Sequence, residues 1–291
     1  MTSPGRLWPR LQLLAAAVLF STGGAALKAS SLDTWTVAGF RAVLGGLTVL
    51  ALVPAARRGV SRGAWAVAAA YAVTGFLYVA ANKATTAAST IFLQSTSPLY
   101  IAVLGHWLLH ERVRRRDLVF MAALAVGLVL LIWGTPPPSR TAPDPLRGNV
   151  LAALCGLTVG VMMVGLRWLG RSGAEKGSAP AAVVLGNLLI VAVALPLALP
   201  LSPPSGRDVA VLLWLGVFQI GSAYALMLAG LRHVPVLEAT LLMFIEPVLS
   251  PTWAWLLHGE RPGPWTIVGG SLILAATALH VWRDATRPGT R

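Results

Sequence analysis

Ten runs of apolar residues, each about 20 long, follow one another along this chain of 291 residues. A helix of that length crosses a hydrocarbon core of ~30 Å, and in lipid only helices and closed barrels satisfy their own backbone. The runs fall at about 10–29, 35–54, 64–82, 88–109, 117–134, 148–168, 180–200, 209–229, 235–257 and 264–282. None alternates with the period of a barrel strand. Charged residues make up 11% of the chain, against about 25% in soluble domains. The class is therefore an all-α membrane protein with ten transmembrane helices. The first run follows Arg6 and Arg10 as a secretory signal would. It continues through "STGGAALKA" to full spanning length, so it is read as an uncleaved helix.

One connection is long. "GTPPPSRTAPDPLRG", residues 134–148, is too rich in proline to continue a helix. It divides the chain into a first half, 1–134, a linker, 135–147, and a second half, 148–291, each half with five spans. With the N-terminus inside, 16 of the 23 Lys and Arg residues fall on the inner side, six on the outer side and Arg41 within span two. That asymmetry places both termini in the cytoplasm. The net charge of +13 then belongs to loops facing anionic headgroups. Nucleic acid is not expected as a partner, because no basic stripe interleaves with exposed aromatics. The single cysteine, Cys155, excludes an intrachain disulfide and a CxxC site.

The halves resemble each other. "LQSTSPLYIAVLGHWLLHER", 93–112, aligns without a gap with "LMFIEPVLSPTWAWLLHGER", 242–261, at an offset of 149. Pro98 meets Pro247, Glu111 meets Glu260, and Trp133 meets Trp282 in the same register. Five spans is an odd number, so two such repeats lie inverted in the membrane, an arrangement typical of secondary transporters.

These residues also resemble a known family. Spans four and nine, with "LFSTGGAALK" in span one and "NKATTAASTIFLQSTSPLYIAVLG" across spans three and four, are similar to the drug/metabolite transporter superfamily and its EamA-type exporters. The resemblance implies an inverted-repeat carrier in the plasma membrane, of a bacterial inner-membrane kind. It implies a substrate path lined mainly by helices 1, 3, 4, 6, 8 and 9, and small metabolites, amino acids among them, as cargo.

Candidate site residues follow from polarity at depth. Glu246 sits near the centre of span nine, where a charge costs roughly 2.5–3.5 kcal/mol on insertion scales. It is read either as binding substrate or coupling a proton, or as a structural carboxyl. Pro247 and its mate Pro98 lack the N–H that would reach Met243 and Gln94, and are candidate gating bends. Tyr71, Tyr78 and Asn82 share a face of span three, and Thr90, Gln94 and Ser97 a face of span four. Gln219 and Ser222 on span eight extend the pattern, and Trp253 lies near the face of Glu246. The alternative for each is interhelical hydrogen bonding or packing. Arg41 is expected to snorkel or to pair with a carboxylate, and Glu111 and Glu260, at matching helix ends, each to fix a loop or pair with a nearby Arg. "GLTVG", Gly156 to Gly160, has the GxxxG spacing that brings helices close, within the chain or in a dimer.

No HExxH, GxSxG or Walker motif is present, and no cofactor or metal is expected. The sequence reads as a secondary transporter exporting small metabolites by alternating access. An importer of the same fold is the first alternative; a membrane-embedded enzyme or lipid-handling protein is the second. Substrate identity, coupling ion and oligomeric state stay open.

Overall fold

The computed structural model describes residues 4–58, 60–109, 115–171, 178–231, 233–234 and 236–285. The first half builds α1 (Pro4–Ser21), α2 (Gly23–Ala29), α3 (Thr34–Leu52), α4 (Arg62–Ala84), α5 (Ala87–Gln94), α6 (Ser97–Leu109) and α7 (Arg115–Trp133). The second builds α8 (Pro145–Arg171), α9 (Ser178–Leu197), α10 (Gly206–Leu213), α11 (Ala223–Leu231), α12 (Val236–Met243), α13 (Ile245–His258) and α14 (Pro264–Ala285). A π-helical segment, Trp214–Ser222, joins α10 to α11. Nine helices of the described residues are long and apolar enough to cross a membrane; Asp117–Trp133 is a shorter apolar helix. The protein is a multi-pass helical membrane protein.

The two halves repeat in structure as they do in sequence. Helices α5, α6 and α7 begin at Ala87, Ser97 and Arg115. Adding 149 gives Val236, Glu246 and Pro264, which are the starts of α12 and α14 and the second residue of α13. Spans four and nine are therefore both discontinuous, at matching points. Local chemistry accounts for the breaks. At the first, the Ser95 hydroxyl donates to Ile91 O at 2.7 Å and the Thr96 hydroxyl to Leu93 O at 2.6 Å, bonding the carbonyls sideways. Pro98 and Pro247, in the opening turns of α6 and α13, have no N–H to carry the ladder across. Gly156 of α8 lies against the first break. A Cβ there would stand 2.8 Å from Leu93 O and 3.2 Å from Thr96 Oγ1. The GxxxG face of α8 is thus packed against span four within the chain.

Two faces can be named by what they carry. The linker face holds Lys28, the linker and Glu260; the terminal face holds the start of α1 and the end of α14. Helix α4 packs on α8 and α9, α3 on α9 and the π segment, α1 on α11, and α7 on α14. Most core residues lie where these pairs meet. Spans four and nine touch through α5 and α13, toward the linker face. Their terminal-face pieces, α6 and α12, make no comparable contact among the described residues. The linker is ordered. Ser139 and Ala142 form a short antiparallel bridge, and Asp144 N–H donates to Ala84 O at 3.1 Å.

Candidate functional site

A cavity of about 90 Å³ lies where spans one to four meet six to nine. That is larger than one water molecule needs. Its walls are partly aromatic and aliphatic: Phe20, Tyr71, Tyr78 and Tyr224, with Met162 and Ile190. Phe20 and Tyr224 meet edge to face at 5.1 Å, and Tyr71 and Tyr224 tilt together at 5.9 Å. Into this wall project Arg41, Thr74, Gln94, Asn187, Gln219 and Glu246.

Arg41 is the buried cation of the site, only 6% exposed. Its Nη2 and Nε donate to Gln219 Oε1 at 2.9 and 3.2 Å, and its guanidinium stands 5.5 Å from the Tyr78 ring centroid. No carboxylate lies within 4.0 Å of it among the described residues. A guanidinium has five N–H donors; one amide oxygen answers two of them. The π turn helps to aim Gln219, because i→i+5 bonding alters the rotation between successive side chains. Gly23 leaves room for the cluster. A Cβ on Gly23 would stand 2.7 Å from the Tyr78 hydroxyl and 2.8 Å from Gln219 Nε2.

Glu246 occupies the first turn of α13, where the positive end of a helix dipole favours a carboxylate. It is half-buried and takes neither a hydrogen bond nor an ion pair among the described residues. Gln94, the last residue of α5, leaves Oε1 buried without a partner. The cavity therefore has free acceptors, Glu246 and Gln94, and a cation with donors to spare, Arg41. On α9, Asn187 donates to the Tyr71 hydroxyl at 3.2 Å and fixes that ring.

Of the residues singled out in the sequence, Tyr71, Tyr78, Gln94, Gln219 and Glu246 line one cavity. Arg41 lines it as well, and the rest do not. The Thr90 hydroxyl donates to Thr86 O at 3.0 Å and the Ser222 hydroxyl to Val217 O at 2.9 Å, each bonding its own helix. Ser97 opens α6, beyond the break, with Pro98 beside it; Pro247 is buried in the first turn of α13. Trp253 donates from Nε1 to Ser21 Oγ at 3.0 Å, joining span nine to span one. Asn82 stands one turn past Tyr78, between the cavity and the linker face. Arg41 neither snorkels nor meets a carboxylate. Glu260 pairs with Lys28 rather than with an Arg, at 3.1 Å. Glu111 lies outside the described residues. Arg41 and Asn187 bring spans two and seven into the site, beyond the six helices expected to line it.

Known proteins agree with this architecture. The model of the EamA-like transporter family matches twice, over residues 7–133 and 146–282. The two matches end at Trp133 and Trp282, the pair that closes the 149-residue register. An uncharacterized transporter of Archaeoglobus fulgidus is 29% identical over 279 residues, 94% of this chain and 95% of that protein. A solved crystal structure superposes with a TM-score of 0.63 at 22% identity, covering 93% of this chain and 97% of its own, and so shares the fold. The chain belongs to the EamA-like transporter family.

Proposed function

We propose that the protein is a secondary exporter of amino acids or closely related dipolar metabolites, with its halves inverted and both termini cytoplasmic in the plasma membrane. The observation that carries this reading is the opposition, in one cavity, of a buried guanidinium with spare donors and two acceptors without partners. An α-ammonium suits Glu246 and Gln94, an α-carboxylate suits Arg41, and an apolar side chain suits the walls of Phe20, Tyr71 and Tyr224. On the charge asymmetry, the linker face is outside. With α5 against α13 and α6 apart from α12, the structure then corresponds to a state closed to the outside. Proton coupling fits a carboxyl that gains and loses partners as the cavity changes sides.

Thermal protection of the purified protein tests the cargo. Free amino acids should raise the melting temperature, and their N-acetyl or amide derivatives should not; at 100 times Kd the gain is about 2.7 kcal/mol. Glu246→Gln and Arg41→Gln should each abolish protection while the protein still inserts and folds. In proteoliposomes, the initial rate for Glu246→Gln should lose its dependence on pH. Protection by blocked derivatives as strong as by free amino acids would overturn the dipolar assignment.

A further inference from the structure

A second void, of about 530 Å³, opens on the linker face. Its wall carries Lys28, Lys83, Arg140, Arg207 and His258, with no Asp or Glu among the lining residues. The Lys and Arg residues come from different parts of the chain: the ends of spans one and three, the linker, and the first turn of α10. Only one of them is fully engaged. Lys28 pairs with Glu260 and donates to Asn82 O, Thr85 O and Thr141 O at 3.0, 2.7 and 2.5 Å. Lys83 gives a single hydrogen bond, to Ser30 O at 2.6 Å, and no carboxylate lies within 4.0 Å of it among the described residues. Asp208 is close by, but its oxygens already accept from Ser30, Ser31 and Ser205. Arg140 and Arg207 are exposed at the rim.

The void sits directly over the central cavity. Tyr78 lines the cavity and Asn82 lines the void, four residues or about 6 Å along α4. Asn82 is 1% exposed; its Nδ2 donates to Tyr78 O at 3.0 Å, and its Oδ1 is buried without a partner. A thin, incompletely satisfied polar layer therefore separates the two spaces. Like charges around a concave wall focus the field into it and raise the local concentration of counter-ions.

We propose that this vestibule is an anion-binding site in which Lys83, Arg140 and Arg207 hold a carboxylate or phosphate group. Lys83, half-buried at the inner end, supplies the strongest contact, and the two arginines offer forked donors at the mouth. The site is distinct from the central cavity and does not depend on Glu246 or Arg41. Its place one helical turn from the cavity puts it on the route by which an anionic group reaches or leaves the linker face.

The test uses the full chain in a maltoside detergent, with inorganic phosphate and, separately, acetate as probes and chloride at matched ionic strength as the control. Phosphate should raise the melting temperature well beyond chloride. Lys83→Gln should weaken apparent binding about tenfold or more, the loss of one charge-assisted hydrogen bond. Arg140→Gln/Arg207→Gln, confined to exposed loop or helix-start positions, should weaken it less and keeps the test open if Lys83→Gln fails to fold. Glu246→Gln should leave the phosphate response unchanged, which separates this site from the cavity. A phosphate response that depends on the three cations without lipid and is lost on adding phosphatidylglycerol supports the site with a lipid headgroup as its occupant. A response equal to that of chloride, or one retained in both sets of variants, overturns the proposal.

Discussion

Spans four and nine meet at one end and part at the other, although the same sequence pattern runs through both. At the linker face, α5 lies on α13 and a buried ionic knot binds the neighbourhood. The Glu260 carboxylate accepts from Ala87 N–H at the start of α5 through Oε1 and faces Lys28 at 3.1 Å through Oε2. Lys28 in turn reaches span three and the linker. The two side chains are 2% and 3% exposed. At the terminal face, the corresponding pieces α6 and α12 make no comparable contact among the described residues, and the ion pair there, Arg10 with Glu238, links spans one and nine at 31% and 35% exposure. Under the 149-residue register, an α5–α13 contact maps onto an α12–α6 contact. The presence of one and the lack of the other is how a repeated sequence occupies a single asymmetric state. Burial separates the two ends energetically: the linker-face knot cannot trade its partners for water without opening, whereas the terminal-face pair already shares them with solvent.

The largest effect expected is from Lys28→Met, which strands Glu260 in a buried setting. Breaking one side of a buried pair costs about 3–5 kcal/mol, read as a large fall in melting temperature. Lys28→Met/Glu260→Leu should recover most of that loss, because apolar replacement of a whole buried pair is often neutral or better. A single variant that melts with the wild type would erase the difference between the ends. Thiol labelling sharpens the comparison in a Cys155→Ala background. Cysteine at Ser97, half-buried on α6, should react with a small hydrophilic reagent much faster than cysteine at Ser89, fully buried on α5. Cysteine at Gln94, on the cavity wall, should be protected by bound substrate. Equal rates at positions 89 and 97 would mean that the two ends are equally open. The smallest effect is expected at Arg10→Gln, where a solvent-shared pair contributes about 0–1 kcal/mol. A loss comparable to that of Lys28→Met would place the terminal-face pair in the same class as the knot.

Much of this was legible in the sequence, for physical reasons that also mark where legibility ended. The spans follow from hydropathy, and the discontinuities of spans four and nine follow from Pro98 and Pro247 in one register. Glu246 was conspicuous because a carboxylate at that depth demands an explanation. The stripe Thr90, Gln94, Ser97 assumed an unbroken helix at ~100° per residue. The interruption at Ser95 and Thr96 resets the phase for Ser97, which opens α6; Thr90 and Gln94 both precede it on α5, where Gln94 reaches the cavity and the Thr90 hydroxyl bonds its own backbone. Gln219 was visible only weakly, because a π segment rotates its side chain off the α-helical schedule. Asn187, alone in an apolar span, gives no periodic signal. Arg41 was undervalued because a long side chain in a span usually has an interface to escape to. Its acceptor, Gln219, lies 178 positions away, a pairing that only the fold brings about.

The linker between the halves has a practical consequence. Pro-rich connections are the customary places to insert a tag or to divide a gene into two co-expressed fragments, since exposed loops usually tolerate both. Here the backbone itself is occupied: Thr141 offers its carbonyl to Lys28, and Asp144 donates to Ala84. An epitope placed between Ser139 and Asp144 would compete with the ionic knot. Residues 201–204, which are exposed and lie outside the helices, are the better point of entry for a reporter.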